Sequence, residues 1–127
     1  MKFRGSSVLL TVVVGTMLAG CARQAPVYTA TNIAFVGDAP ESERSLQIRR
    51  AGAGLGWVME DVTPGMIRGT LELRTHKASI NVPYDRQHFS INHDSSRNLD
   101  FNGSTIHSNY NGWVRRLQQM IAAQSTI

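Results

Sequence analysis

Residues 66–74 read Met-Ile-Arg-Gly-Thr-Leu-Glu-Leu-Arg, and residues 78–84 read Ala-Ser-Ile-Asn-Val-Pro-Tyr. Ile67, Gly69, Leu71 and Leu73 alternate with Arg68, Thr70, Glu72 and Arg74. Ala78, Ile80, Val82 and Tyr84 alternate with Ser79 and Asn81. Successive strand residues point to opposite sheet faces, so this pattern predicts a sheet with one apolar face and one wet face. A tight turn at Thr75-His76-Lys77 joins the two runs. Upstream, Trp57 to Val62 forms another, closed by Thr63-Pro64-Gly65, where Pro then Gly suits the centre of a type II turn. Downstream of the Asp85-Arg86 turn, Phe89, Ile91 and His93 alternate with His88, Ser90 and Asn92. Links this short predict antiparallel neighbours, hence a four-stranded meander.

Helical periodicity flanks the strands. A first helix is predicted to open between Asp38 and Ser42, with Asp38 and Glu41 at capping-box spacing, and to stop at Gly56. Ile48, Ala51, Leu55 and Leu46 form its stripe, and Gly52 and Gly54 either allow close approach to the sheet or shorten it. After a polar loop over Asp94–Gly103, into which Leu99 and Phe101 tuck, a second helix is predicted from Thr105 to Gln124, capped by Ser104 or Asn102. Ile106, Tyr110, Trp113, Val114, Leu117, Met120 and Ile121 line one side of it. Two amphipathic helices and a half-buried sheet predict an α+β two-layer sandwich, in the order αββββα, with both helices on one face.

The N-terminus is of a different kind. Lys2 and Arg4 precede an apolar run from Val8 to Met17. That run is about half the ~20 residues a membrane-spanning helix needs, so it reads as a signal segment. It ends in Leu18-Ala19-Gly20-Cys21, which resembles the bacterial lipobox. A thiolate is the nucleophile in acylation, which explains the cysteine. The resemblance implies a signal peptide over residues 1–20 and mature Cys21 bearing two acyl chains on sulfur and a third on its amine. Multiple chains make anchoring stable, at about 0.8 kcal/mol per buried methylene. Ala22 replaces the Asp that retains enteric lipoproteins at the inner membrane, so the expectation is an outer-membrane lipoprotein facing the periplasm. Residues 21–40 read as lipidated cysteine and tether, although Thr31–Val36 can add an edge strand; residues 41–127 read as the folded domain. The chain has one cysteine, so no internal disulfide is available to the domain.

Removing Lys2 and Arg4 leaves 11 basic against 9 acidic residues, too even a balance for nucleic-acid binding. The four histidines are His76, His88, His93 and His107. His88 and His93 are an odd number of residues apart on one strand and point to opposite faces, which argues against a metal site. His93, Asp94 and Ser95 or Ser96 are adjacent in sequence, but a hydrolytic triad needs convergence in space and oxyanion donors. No catalysis and no cofactor beyond the lipid on Cys21 are expected.

The most specific stretches are Ser96-Arg97-Asn98-Leu99-Asp100-Phe101 and Ile106-His107-Ser108-Asn109-Tyr110-Asn111-Gly112-Trp113-Val114. With Gly56-Trp57, Pro64-Gly65 and Tyr84 they resemble an uncharacterised family of small proteobacterial lipoproteins, which share Ser-x-Asn-Leu and Ile-His-x-x-Tyr-Asn-x-Trp-Val motifs. The resemblance implies export and lipidation and carries no activity. His107, Asn109, Tyr110, Asn111 and Trp113 support two readings. One is a recognition patch for a glycan, peptide or partner backbone. The other is a structural anchor, in which Tyr110 and Trp113 pack on the sheet while His107, Asn98 and Asn111 satisfy loop backbone groups. The first functional expectation is a non-catalytic adaptor that binds another envelope protein. Its candidate surface is the wet face: Arg68, Thr70, Glu72, Arg74, Ser79, Asn81, Ser90 and Asn92. The second is a small-ligand or cell-wall-fragment binding domain with a pocket near Tyr84, His107 and Trp113.

Overall fold

The computed structural model describes residues 23–127; the predicted signal segment and Cys21 lie outside the described residues. The order is β1 (Gln24–Pro26), β2 (Ala30–Ala34), α1 (Glu41–Gly54), β3 (Val58–Thr63), β4 (Met66–Leu73), β5 (His76–Pro83), β6 (His88–Arg97), β7 (Thr105–His107) and α2 (Ser108–Gln124). It is an α+β fold with two helices and antiparallel strands. The large sheet has five strands rather than the expected four, in the order β2-β6-β5-β4-β3, and β1 pairs with β7 in a separate two-stranded sheet. No described helix is long and apolar enough to cross a membrane.

The alternation read from residues 66–91 holds. Ile67, Leu71, Ala78, Ile80, Val82, Phe89 and Ile91 form one buried cluster with Ile48 and Ala51 of α1 and Tyr110, Val114, Leu117 and Ile121 of α2. Leu99 is buried as expected, but Phe101, Leu73 and Leu46 are 43%, 45% and 42% exposed. Leu73 ends β4 at the rim of the core. Leu46 points outward because the buried stripe of α1 runs through Arg44, Ile48 and Ala51 instead. The Pro64-Gly65 turn has Gly65 at φ +81°, the value a type II turn requires.

Both expectations for the helix glycines are realised, close approach at Gly52 and an early end at Gly54, where α1 stops short of Gly56. Met59 of β3 lies between Gly52 of α1 and Gly69 of β4. A Cβ at Gly69 would stand 2.8 Å from Met59 Sδ and 3.0 Å from Ile80 Cγ1, and one at Gly52 would meet Met59 Sδ at 2.6 Å.

Four boundaries differ from expectation. The residues expected to be a tether form strands from Gln24 onward; β2 takes the edge-strand place foreseen for residues 31–36, paired with β6. The expected polar loop from Asp94 is shorter, because β6 continues to Arg97 through a bulge. Ser79 pairs with Ser95 and Ile80 with His93, leaving Asp94 as the extra residue. The second helix starts at Ser108 because residues 105–107 pair with β1. Asn102 Oδ1 instead accepts from the backbone N–H groups of Ser104 (3.0 Å) and Thr105 (2.8 Å), shaping the turn that enters β7. At α1, Pro40 occupies the cap position without a side-chain bond, and Asp38 turns away to pair with Arg86 at 2.8 Å.

Candidate functional site

The motif at the start of α2 builds a junction. His107 closes β7, and its Nδ1 accepts the Asn109 N–H at 3.2 Å, a cap supplied by an imidazole. Asn111, buried, accepts the Tyr28 N–H on Oδ1 (2.8 Å) and donates from Nδ2 to the Pro26 carbonyl (2.9 Å). It satisfies the backbone between β1 and β2, which has left one sheet and not yet joined the other. Tyr28 also donates its hydroxyl to Gln118 Oε1, and the Arg115 guanidinium lies 4.4 Å over its ring. The N-terminal segment is thereby held on α2 by three kinds of contact. Asn109 is exposed and its side chain makes no bond within the described residues.

Tyr110 is fully buried, and its hydroxyl is the one buried side-chain polar atom without a partner among the described residues. Burial pushes its ionisation far above the ordinary range for a phenol. The ring supports a stack: His93 meets Tyr110 edge-on at 5.3 Å, and Phe101 covers His93 at 4.2 Å. An unpaired buried hydroxyl costs about 1–3 kcal/mol. Tyr110→Phe is therefore expected to leave stability unchanged or raise it by about 1 kcal/mol; a clear loss in urea unfolding would count against an unpaired hydroxyl.

His93 is placed on the core side, at the rim, and its Nε2 lies 3.1 Å from Ser96 Oγ. Sequence adjacency thus does bring one His–Ser pair together, but the bulge turns Asp94 to the other face. There its carboxylate accepts from Ser79 Oγ (3.1 Å) and Asn81 Nδ2 (3.4 Å). No carboxylate orients the imidazole, so the triad arrangement is not built. Burial lowers the His93 pKa from 6.5, against a weaker opposing pull from Asp94. The folded state then binds this proton less readily than the unfolded chain. Stability contributed by neutral His93 is present above pH 6.5 and is lost as pH falls through and below that value. The drop in Tm on going from about pH 7 to about pH 5 is expected to be larger in the wild type than in His93→Gln; equal drops would refute the assignment.

The remaining expected site residues do not converge. Trp113 is half-buried beside Arg116, Leu55, Trp57, Leu71 and Leu73, around a notch of about 80 Å³. Arg74 is not on the wet strand face: it sits at φ +56° in the two-residue turn between β4 and β5. Tyr84 follows β5 at the opposite end of the hairpin and lines an open cleft of about 560 Å³ with Glu41, Ser45, Arg49, Asp61 and Pro64. A pocket shared by Tyr84, His107 and Trp113 is excluded by that separation, which spans the length of β5.

Two networks were not foreseen. In the Tyr84 cleft, Ser45 Oγ donates to Asp61 Oδ1 (3.0 Å) and accepts from Arg49 Nε (3.2 Å), which is 3.6 Å from Asp61 Oδ2. A serine already donating to a carboxylate, with no imidazole beside it, fastens α1 to edge strand β3. Deeper, Arg44 is 0% exposed. It donates to the carbonyls of Arg86 (2.9 Å), Gly37 (2.8 Å) and Val36 (3.3 Å) and to Gln47 Oε1 (3.0 Å), and it lies 4.4 Å over Phe35. Its signal was a charge in register with Ile48 and Ala51 on the apolar stripe. Among the described residues no group of three or more His, Cys, Asp and Glu side chains is placed to hold a metal ion. No family model, curated protein or solved structure matches the chain.

Proposed function

We propose that this chain is an envelope lipoprotein, exported by residues 1–20 and anchored in the outer membrane through acylated Cys21. Its folded part acts as a non-catalytic adaptor in the periplasm. In this reading the helices cover the apolar sheet face and leave the other face free for another envelope protein. The observation that carries it is the composition of that free face. Arg68, Thr70, Glu72, Asn81 and Asn92 stand on it across three strands, with the bulge residue Asp94 bonded to Ser79 and Asn81 beside them, polar and of mixed charge. Such a surface suits a reversible contact better than an obligate one. The motif residues support the same reading, since His107, Asn111 and Tyr110 are engaged in capping, bridging and packing.

Two measurements test it. Cys21→Ser is expected to move the protein from the membrane to the soluble envelope fraction, and intact mass is expected to show acylation of the wild type. A photocrosslinker at Thr70 or Asn92 is expected to capture one discrete envelope protein that a crosslinker at Arg50 or Gln119 does not. Identical products from all four positions would rule out the sheet face. The small-ligand reading draws its support from the Tyr84 cleft, one of several clefts with a volume in the usual range for ligand sites and the one that holds a residue singled out in the sequence. Saturable shifts of Tyr84 and Arg49 resonances on titration with cell-wall fragments would favour it over the adaptor.

A further inference from the structure

We infer that the end of the fold carrying the β4–β5 turn is a membrane-contacting surface that binds anionic phospholipid headgroups; this rests on the lipidated-Cys21 reading above. The first observation is where the chain enters the fold. Gln24 is already in β1, paired with His107, and its Nε2 donates to the Asp100 carbonyl at 3.0 Å. Only three residue steps separate Gln24 from Cys21, a reach of at most about 11 Å even fully extended. A lipid on Cys21 therefore holds the neighbourhood of Gln24 within a headgroup layer's thickness of the bilayer. The expected long tether would have left orientation free; the short one keeps this end near the bilayer and leaves the tilt to charge.

The second observation is what surrounds Gln24. His76 and His107 rings lie 6.4 Å apart, His76 Nδ1 is 2.6 Å from the Asn98 carbonyl, and Asn98 Nδ2 donates to Thr75 Oγ1 at 2.7 Å. These contacts bring the β4–β5 turn, the end of β6 and the start of β1 to one end of the molecule. That end carries Arg23, Arg74, Lys77 and Arg97, against the carboxylates of Glu72 and Asp100. Lys77 and Arg97 stand directly opposite in the β5–β6 register, a like-charge pair that a sheet does not favour for its own sake. Lys77 is 3.7 Å from Glu72, while Arg23, Arg74 and Arg97 have no carboxylate within ion-pair distance among the described residues. Exposed Leu73 adjoins Arg74, beside the Trp113 notch, and supplies an apolar contact at the same end.

The third observation is the other end. The β4–β5 hairpin runs seven residue steps from Leu73↔His76 to Met66↔Pro83, about 23 Å. There Asp38, Glu41 and Asp85 gather around one open cleft; Arg86, which lines it, is paired with Asp38, and the Arg44 guanidinium beneath it is buried, so the end carries a small excess of negative charge. An anionic surface attracts the basic end and repels the acidic one, so charge and tether select the same orientation.

The test uses the mature acylated protein, in which an engineered cysteine is the only free thiol. Thr75→Cys and Gln87→Cys proteins, labelled with an environment-sensitive fluorophore, are reconstituted into phosphatidylglycerol-containing vesicles with a headgroup quencher. Quenching is expected to be several-fold stronger at position 75 than at position 87. The ratio is expected to fall about twofold or more in phosphatidylcholine vesicles and in the Arg74→Gln, Arg97→Gln double variant, while the tether keeps it above one. Arg50→Gln with Arg68→Gln, which removes equal charge elsewhere, is expected to preserve it. Equal quenching at both positions, or a ratio indifferent to lipid charge, would overturn the proposal while leaving lipidation intact. An intact mass showing a bare thiol would overturn the lipidation reading and this proposal together.

Discussion

Arg44→Met is expected to lower the unfolding free energy by about 3–5 kcal/mol, in urea titrations with an unchanged slope. The volume is nearly conserved, so packing loss is minor. What is lost is a planar donor fork that satisfies the Arg86, Gly37 and Val36 carbonyls and Gln47 at once. A buried acceptor left unpaired costs about 1–3 kcal/mol, which applies in full to Gln47 Oε1 and in part to the three part-buried carbonyls, and bonds to a charged donor lie at the upper end of that range. These carbonyls belong to the β2–α1 link and the β5–β6 turn, so the guanidinium ties two loops to a helix that has no capping side chain. Arg44→Lys is expected to recover only part of the loss, because an ammonium cannot meet four separated acceptors. A Met variant within about 1 kcal/mol of wild type would show that the loops find other partners.

Asn111→Ala is the second large effect, expected at about 2–4 kcal/mol. One side chain serves both the Tyr28 N–H and the Pro26 carbonyl, and alanine reaches neither. Hydrogen exchange separates this from a general loss of stability. The Val27 and Tyr28 amides are expected to lose protection well before those of Ile80 or Ile91 in the sheet centre. Uniform loss across both regions would mean that Asn111 supports the whole core rather than the N-terminal segment.

The central strands were legible because a period of two survives wherever one sheet face is buried, and Ile67 to Ile91 keep it. The periphery was not, and particular residues show why. Residues 24–34 carry their large apolar side chains, Val27, Tyr28 and Ile33, without a regular period of two and owe their strand form to distant partners such as Asn111 and Ser90, which leave no local mark. Asp94 reads as a loop former, whereas it is a bulge residue stabilised by Ser79 across the sheet. Thr105–His107 continue the helical stripe in sequence, yet β1 claims them. At the candidate site, His107, Tyr110 and Asn111 serve the junction at the start of α2, while Trp113 lies apart at the Leu55–Leu73 notch. Tyr84 is set apart from them by the length of β5, whereas Arg74 shares their end of the fold but sits in the β4–β5 turn. Arg44 was visible as a charge on an apolar stripe, but the carbonyls that make it tolerable come from residues 36, 37 and 86.

Under the export proposed above, the pairing of β1 with β7 and of β2 with β6 sets an order of events. Chain emerging first from a translocation channel carries residues 24–34, whose partners lie between residues 88 and 111. Nothing nearby can hold those early residues, and closing so long a loop must await the last quarter of the polypeptide. The stretch beside Cys21 thus stays unzipped until translocation is nearly finished. The proposed acylation of Cys21 would then precede the pairing of β1, and the domain would clasp its own beginning as the final step of folding.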